Sequence, residues 1–86
     1  MALLAIPDWL QQRDGVLIPG IRENVVFVTL GGNPLYRLES RPAQGKETCQ
    51  VVQTNNGRRL DGGKEYQDRQ AAIAGGLDEL RTALGW

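Results

Sequence analysis

Tyr66, Ile73, Leu77, Leu80 and Leu84 recur at intervals of seven, four, three and four residues, which places them on one stripe of an α-helix. A helix with a single apolar stripe has to lay it on something apolar. The chain between Gly15 and Gly63 has no second stripe of that period and reads as short strands separated by turns. The spacing therefore predicts an α+β domain spanning 1–86. It is a small antiparallel β-meander of three to five strands with one C-terminal helix packed on one face and a short N-terminal helical turn. The expected core is Val26, Val28, Tyr36, Leu38, Val51, Ile73, Leu77, Leu80 and Leu84.

Asn24 to Leu30 is the strongest strand signal, β-branched or aromatic nearly throughout and without a polar alternation. A strand apolar on both sides lies in a sheet covered on both faces, or turns one face to another subunit. Eighty-six residues offer little with which to cover two faces. The second cover is either the N-terminal segment carrying Trp9 or a partner chain.

The turns set the order. Pro7 and Asp8 suit the first turn of a helix over residues 7–13, and Gly15 suits its left-handed end. Leu3, Leu4 and Ile6 are expected to pack beside this piece or to add a short extended segment. Val16 to Ile18 reads as an edge strand closed by Pro19-Gly20. Gly31-Gly32-Asn33-Pro34 turns the chain into Leu35 to Ser40, with Tyr36 and Leu38 on one face and Leu35, Arg37 and Glu39 on the other. Arg41 to Lys46 reads as a polar loop, and Glu47 to Thr54 as a strand with Cys49 and Val51 on one face. Asn55-Asn56-Gly57 is a hairpin signal, with Arg58 to Leu60 as the return strand. The final helix is expected to start near Asp68 as N-cap and to end at Gly85, with Asp78 and Arg81 paired outside.

Gly75 and Gly76 sit inside that helix, where two glycines cost about 1.5–2 kcal/mol relative to alanines. Gly76 falls beside Leu77 and Leu80, where a missing side chain admits a close approach to the sheet. Gly75 points elsewhere. It is read first as a tolerated loss, and otherwise as a place where something else packs.

The residue inventory excludes more chemistry than it suggests. Histidine is absent and Cys49 is the only cysteine, which removes the usual general base, the commonest metal ligand and any intramolecular disulfide. Cys49 lies within a strand pattern and reads as a small buried apolar residue. The glycine pairs do not match a phosphate-binding loop, and Gly62-Gly63-Lys64 reads as a flexible entry to the helix. The carboxylates are scattered. No catalytic, cofactor-binding or metal-binding residue is assigned, no small-molecule substrate is evident, and the chain is not expected to be an enzyme.

Ten Lys and Arg balance ten Asp and Glu, which argues against a partner held by bulk charge. The apolar start, Met1 to Ile6, has no basic residues before it and is too short for a signal peptide or a span. A cytoplasmic protein with no membrane partner is expected. Arg37, Arg58 and Arg59, with Arg41 and Lys46, are expected to converge at one end of the sheet, where guanidinium forks suit phosphate or carboxylate. Nucleic acid is thus an alternative partner, less favoured because Tyr36 is expected to point inward rather than offer a stacking ring. The first reading is a non-enzymatic module that binds protein, including itself as a homodimer. Its interaction surface draws on Arg37, Arg58, Arg59, Gly75, Trp86 and the doubly apolar strand 24–30.

From Pro34 onward, three strands followed by Gln70-Ala71-Ala72-Ile73-Ala74 resemble the second half of a double-stranded-RNA-binding domain. That family places a Lys-Lys pair at the start of its last helix, where this chain has Glu65-Tyr66-Gln67-Asp68, and it has a full first helix that is lacking here. The likeness is one of element order, and no residue role is carried over.

Overall fold

A computed structural model describes residues 6–22 and 24–86, so the expectation for Leu3 and Leu4 lies outside the described residues. The element order is α1 (Asp8–Gln11), β1 (Val16–Pro19), β2 (Val25–Leu30), β3 (Asn33–Ala43), β4 (Lys46–Gln53), β5 (Glu65–Tyr66) and α2 (Arg69–Leu84). The five strands form one antiparallel meander in the order β1-β2-β3-β4-β5, with α2 packed mainly on β3 and β4. The α+β reading holds.

The helix is delimited as its ends dictate. The Asp68 carboxylate accepts from the Ala71 N–H at 2.8 Å, and Gly85 closes the helix at φ 74°. Ala72, Ile73, Gly76, Leu77 and Leu80 are buried against Val26, Val28, Tyr36, Leu38, Cys49 and Val51 from the sheet. Leu84 is half-buried at the margin of this core. Gly76 allows the contact, because a Cβ there would overlap Cys49 Sγ and lie 3.2 Å from Leu38 Cδ2.

Five local expectations are corrected. Tyr66 belongs to β5, ahead of the N-cap, and reaches the helix from the side instead of lying on its stripe. The polar loop 41–46 is a hairpin tip: β3 runs to Ala43, Gln44 and Gly45 turn at φ 51° and 84°, and β4 resumes at Lys46. A two-residue turn needs only positive φ, and both neighbouring strands are free to carry polar side chains on an open face. At Asn55-Asn56-Gly57 only Gly57 has positive φ. Asn56 Oδ1 instead accepts from the Arg58 N–H, and the return strand shrinks to a single bridge between Val52 and Arg59. Leu35 packs toward the core because the register slips between Val28 and Thr29. Asp78 and Arg81 stay exposed and make no ion pair among the described residues.

The N-terminal piece decides how the second face is left. Trp9 and Leu10 are buried, and Trp9 meets the Trp86 ring at 5.9 Å between centroids. The Arg13 guanidinium lies 4.2 Å from the centre of that same ring. Asp14, at φ 55°, takes the left-handed position expected of Gly15. Gly15 is held for a different reason: a Cβ on it would overlap Leu10. α1 and Trp86 therefore close the end of the helix-covered side.

Candidate interaction surface

Register fixes what the other face presents. On β2 the buried Val26 and Val28 face α2, so Val25 and Phe27 face outward. On β3, Arg37, Glu39 and Arg41 alternate with the buried Tyr36, Leu38 and Ser40. On β4, Thr48, Gln50 and Val52 alternate with Cys49 and Val51. Cross-strand pairs align Ile18, Phe27, Arg37, Val52 and Arg59 in one row across the sheet. A second row holds Val25, Glu39 and Gln50.

This face is divided by character. Its β1–β2 half is apolar, with Val16 and Ile18 exposed at 42 % and 46 % and Val25 and Phe27 half-buried. Its β3–β4 half is polar and charged. Ile21, fully exposed, stands at the edge of the apolar half beside a groove of about 330 Å³ lined also by Ile18, Gly20 and Phe27. No described element lies over this face, and Trp9, packed on Trp86 in the core, does not supply the expected cover. Exposed apolar groups gathered on one side of a small domain mark a contact surface more often than scattered ones do.

The arginines do not all converge: Arg37 and Arg59 flank Val52 in one row, while Arg41 and Lys46 lie toward the opposite end of β4. Arg37 is half-buried between Phe27 and Val52, without an ion pair among the described residues. Arg41 and Lys46 lie toward the β3–β4 hairpin tip, where Arg41 Nε donates to Glu39 at 2.7 Å. Arg58 and Arg59 leave the other end of β4. Arg59 is clamped to Asp61 by bonds of 3.1 and 2.6 Å, and this carboxylate holds its guanidinium pKa above the ordinary value. Burial acts to raise the Asp61 pKa, but Arg59 and the Val51 N–H together bring it below the usual carboxylate value.

Gly75 lies apart from this face, under the ring of Tyr66. The Tyr66 hydroxyl donates to Glu79 at 2.9 Å, and the same carboxylate accepts from the Gly62 N–H at 2.7 Å. Glu79 thus clasps the 60–66 segment to α2. Burial first, and then this carboxylate, push the Tyr66 phenol up to about 12. The Cys49 thiol beneath is pushed up to about 12 by burial and by the charges of Asp61 and Glu79. Such a thiol is protonated and unreactive at neutral pH. Among the described residues no three thiol or carboxylate groups gather closely enough to hold a metal ion.

Comparison with known proteins finds no matching family, no matching characterised protein and no matching solved structure. No helix among the described residues is long and apolar enough to cross a membrane. Sequence reasoning singled out strand 24–30 as apolar on both sides, with its second cover either the N-terminal segment or a partner chain, but did not connect Ile18 and Ile21 with that face. The signal for them was the pairing of an apolar edge strand with an apolar neighbour.

Proposed function

We propose that the chain is a non-enzymatic protein-interaction module, working in the cytoplasm, whose binding surface is the outer face of the sheet. One observation carries this reading. The side chains of Val16, Ile18, Val25 and Phe27 form an apolar half-face with no described element over it, while both α1 and α2 lie on the opposite side. Leaving such a patch in water forfeits about 25 cal/mol for each Å² that a partner would bury. The test is photo-crosslinking in the producing cells, with benzoyl-phenylalanine placed at Ile18 and, as control, at Thr82 on the exposed side of α2. Protein adducts are expected from Ile18 and not from Thr82. Equal yields, or none from Ile18, would remove the reading.

A second reading, binding of single-stranded nucleic acid, is favoured by one detail. Arg37, without an ion pair among the described residues, stands beside the outward ring of Phe27, which pairs a cation with a stacking surface. It predicts retention of DNA or RNA at low salt, weakened by Arg37→Ala, Arg58→Ala and Arg59→Ala. It ranks second because Arg41 and Arg59 are already held by carboxylates of their own chain.

A further inference from the structure

We infer that the occupant of the outer face is a second copy of this chain, stacked sheet against sheet about a two-fold axis that runs across the strands between Arg37 and Glu39 of β3. This rests on the reading of that face as an interaction surface and goes further by naming the partner.

The argument comes from the two outward rows on either side of that axis. One row carries Ile18, Phe27, Arg37 and Val52, and the next carries Gly20, Val25, Glu39 and Gln50. A two-fold axis between the rows lays each residue of the first over its column neighbour in the partner, because an isologous contact pairs i with j and j with i. Three of the four columns are then complementary, and the fourth sets Val52 over Gln50. Ile18 meets the place of Gly20, which the Val25 side chain already fills, since a Cβ on Gly20 would lie 2.8 Å from Val25 Cγ1, so that the contact is apolar on both sides. Phe27 meets the smaller Val25. Arg37 meets Glu39, which gives a carboxylate to a half-buried arginine that has no ion pair among the described residues. Glu39, with its side chain only 13 % exposed and already bonded to Arg41 on its own chain, has a second oxygen to accept with.

Chain-level properties agree. Zero net charge leaves no monopole repulsion between two copies. The five strands, of 4, 6, 11, 8 and 2 residues spaced about 4.8 Å apart, cover roughly 500 Å² in plan. With side-chain relief this approaches the ~800 Å² per partner of a standard interface. The aligned stacking of two twisted sheets at about 10 Å gives the geometry. Edge pairing through β1 is the poorer route. The Gly20 N–H already bonds Val25 C=O at 2.8 Å, so by alternation Leu17 and Pro19 face the free edge, and Pro19 has no N–H to give.

The experiment is sedimentation equilibrium of the full chain from about 1 μM to about 1 mM, on the wild type, Arg37→Glu, Glu39→Arg and the double swap, with circular dichroism to establish that each is folded. The wild type is expected to dimerise. Each single swap sets like charges against each other twice per dimer and is expected to raise the dissociation constant about tenfold or more. The double swap is expected to recover most of that loss. A wild type that stays monomeric throughout, single swaps without effect, or a double swap no better than the singles overturns the inference. A monomer that still gives adducts with another protein from Ile18 leaves the interaction reading standing, whereas a monomer with no adducts removes both.

Discussion

Tyr66 packs its ring directly against the backbone of Gly75, so that a Cβ there would overlap Cε1, Cζ and the hydroxyl oxygen. The glycine is a seat for an aromatic ring that is in turn tied to Glu79. Alanine at position 75 returns about 1 kcal/mol of helix propensity. It also displaces the ring and its hydrogen bond, and overpacking of this kind costs about 1–3 kcal/mol. Gly75→Ala is therefore expected to destabilise by about 1 kcal/mol in urea melts. In a Tyr66→Ala background the same change is expected to stabilise by about as much. A substitution with the same sign in both backgrounds would show that the ring is not what the glycine serves.

Burial is the first cause of a raised pKa at both Cys49 and Tyr66, and the Glu79 charge adds to each. Their pKa values are raised to about 12, from 9.0 and 10.0. For an acid whose folded pKa is raised, the stabilisation is complete below the unfolded value and is lost as pH climbs toward the folded one. The native state is thus expected to weaken between about pH 9 and pH 12. At pH 8 the Cys49 thiol is expected to react with a disulfide reagent only as fast as the domain opens, and as fast as a free thiol once urea is added. Rapid labelling of the folded protein would contradict its burial.

Legibility followed local physics. The helix could be read to the residue because both its ends depend on groups within a few positions: Asp68 accepting from Ala71, and Gly85 at positive φ. The core was visible as periodicity in Val26, Val28, Tyr36, Leu38 and Val51. What failed depends on neighbours distant in sequence. Leu35 changes face because of a slip opposite Val28 and Thr29. Arg58 to Leu60 fails to become a full strand because Asp61, ten residues on from Val51, takes its N–H with a side chain. The seat of Tyr66 on Gly75 brings β5 over α2, which no window of sequence contains. The arginines were grouped by type, but strand direction sends Arg41 and Lys46 to the hairpin tip, away from Arg37 and Arg59 at the other end of β4.

Thr29 is 5 % exposed, and its hydroxyl has no hydrogen-bond partner among the described residues. A buried polar group left unbonded costs about 1–3 kcal/mol. Valine has nearly the same shape and no hydroxyl. Thr29→Val is therefore expected to stabilise the monomeric fold by about 1 kcal/mol, seen as a raised urea midpoint with an unchanged slope. A lower midpoint would mean that the hydroxyl has a partner in solution.

Asp61 carries the edge of β4 where the return strand gives out. Its side chain is 1 % exposed and accepts from the Val51 N–H at 3.0 Å while gripping Arg59. Asp61→Ala strands a buried amide on Val51 and is expected to cost about 1–3 kcal/mol at pH 7. Asp61→Asn keeps an acceptor for Val51 but gives up the charge, so it is expected to cost less. Because the folded pKa of Asp61 is depressed below 3.8, its charged form contributes stability above the unfolded value, and that contribution is lost as pH falls through the folded one. The stability gap between the wild type and Asp61→Asn is therefore expected to hold from pH 7 down to about pH 4 and then to close on further acidification. Urea melts of both proteins at pH 7, 4 and 2.5 decide the matter. A gap of the same size at all three would place the effect in packing, and the Arg59 clamp would lose its electrostatic role.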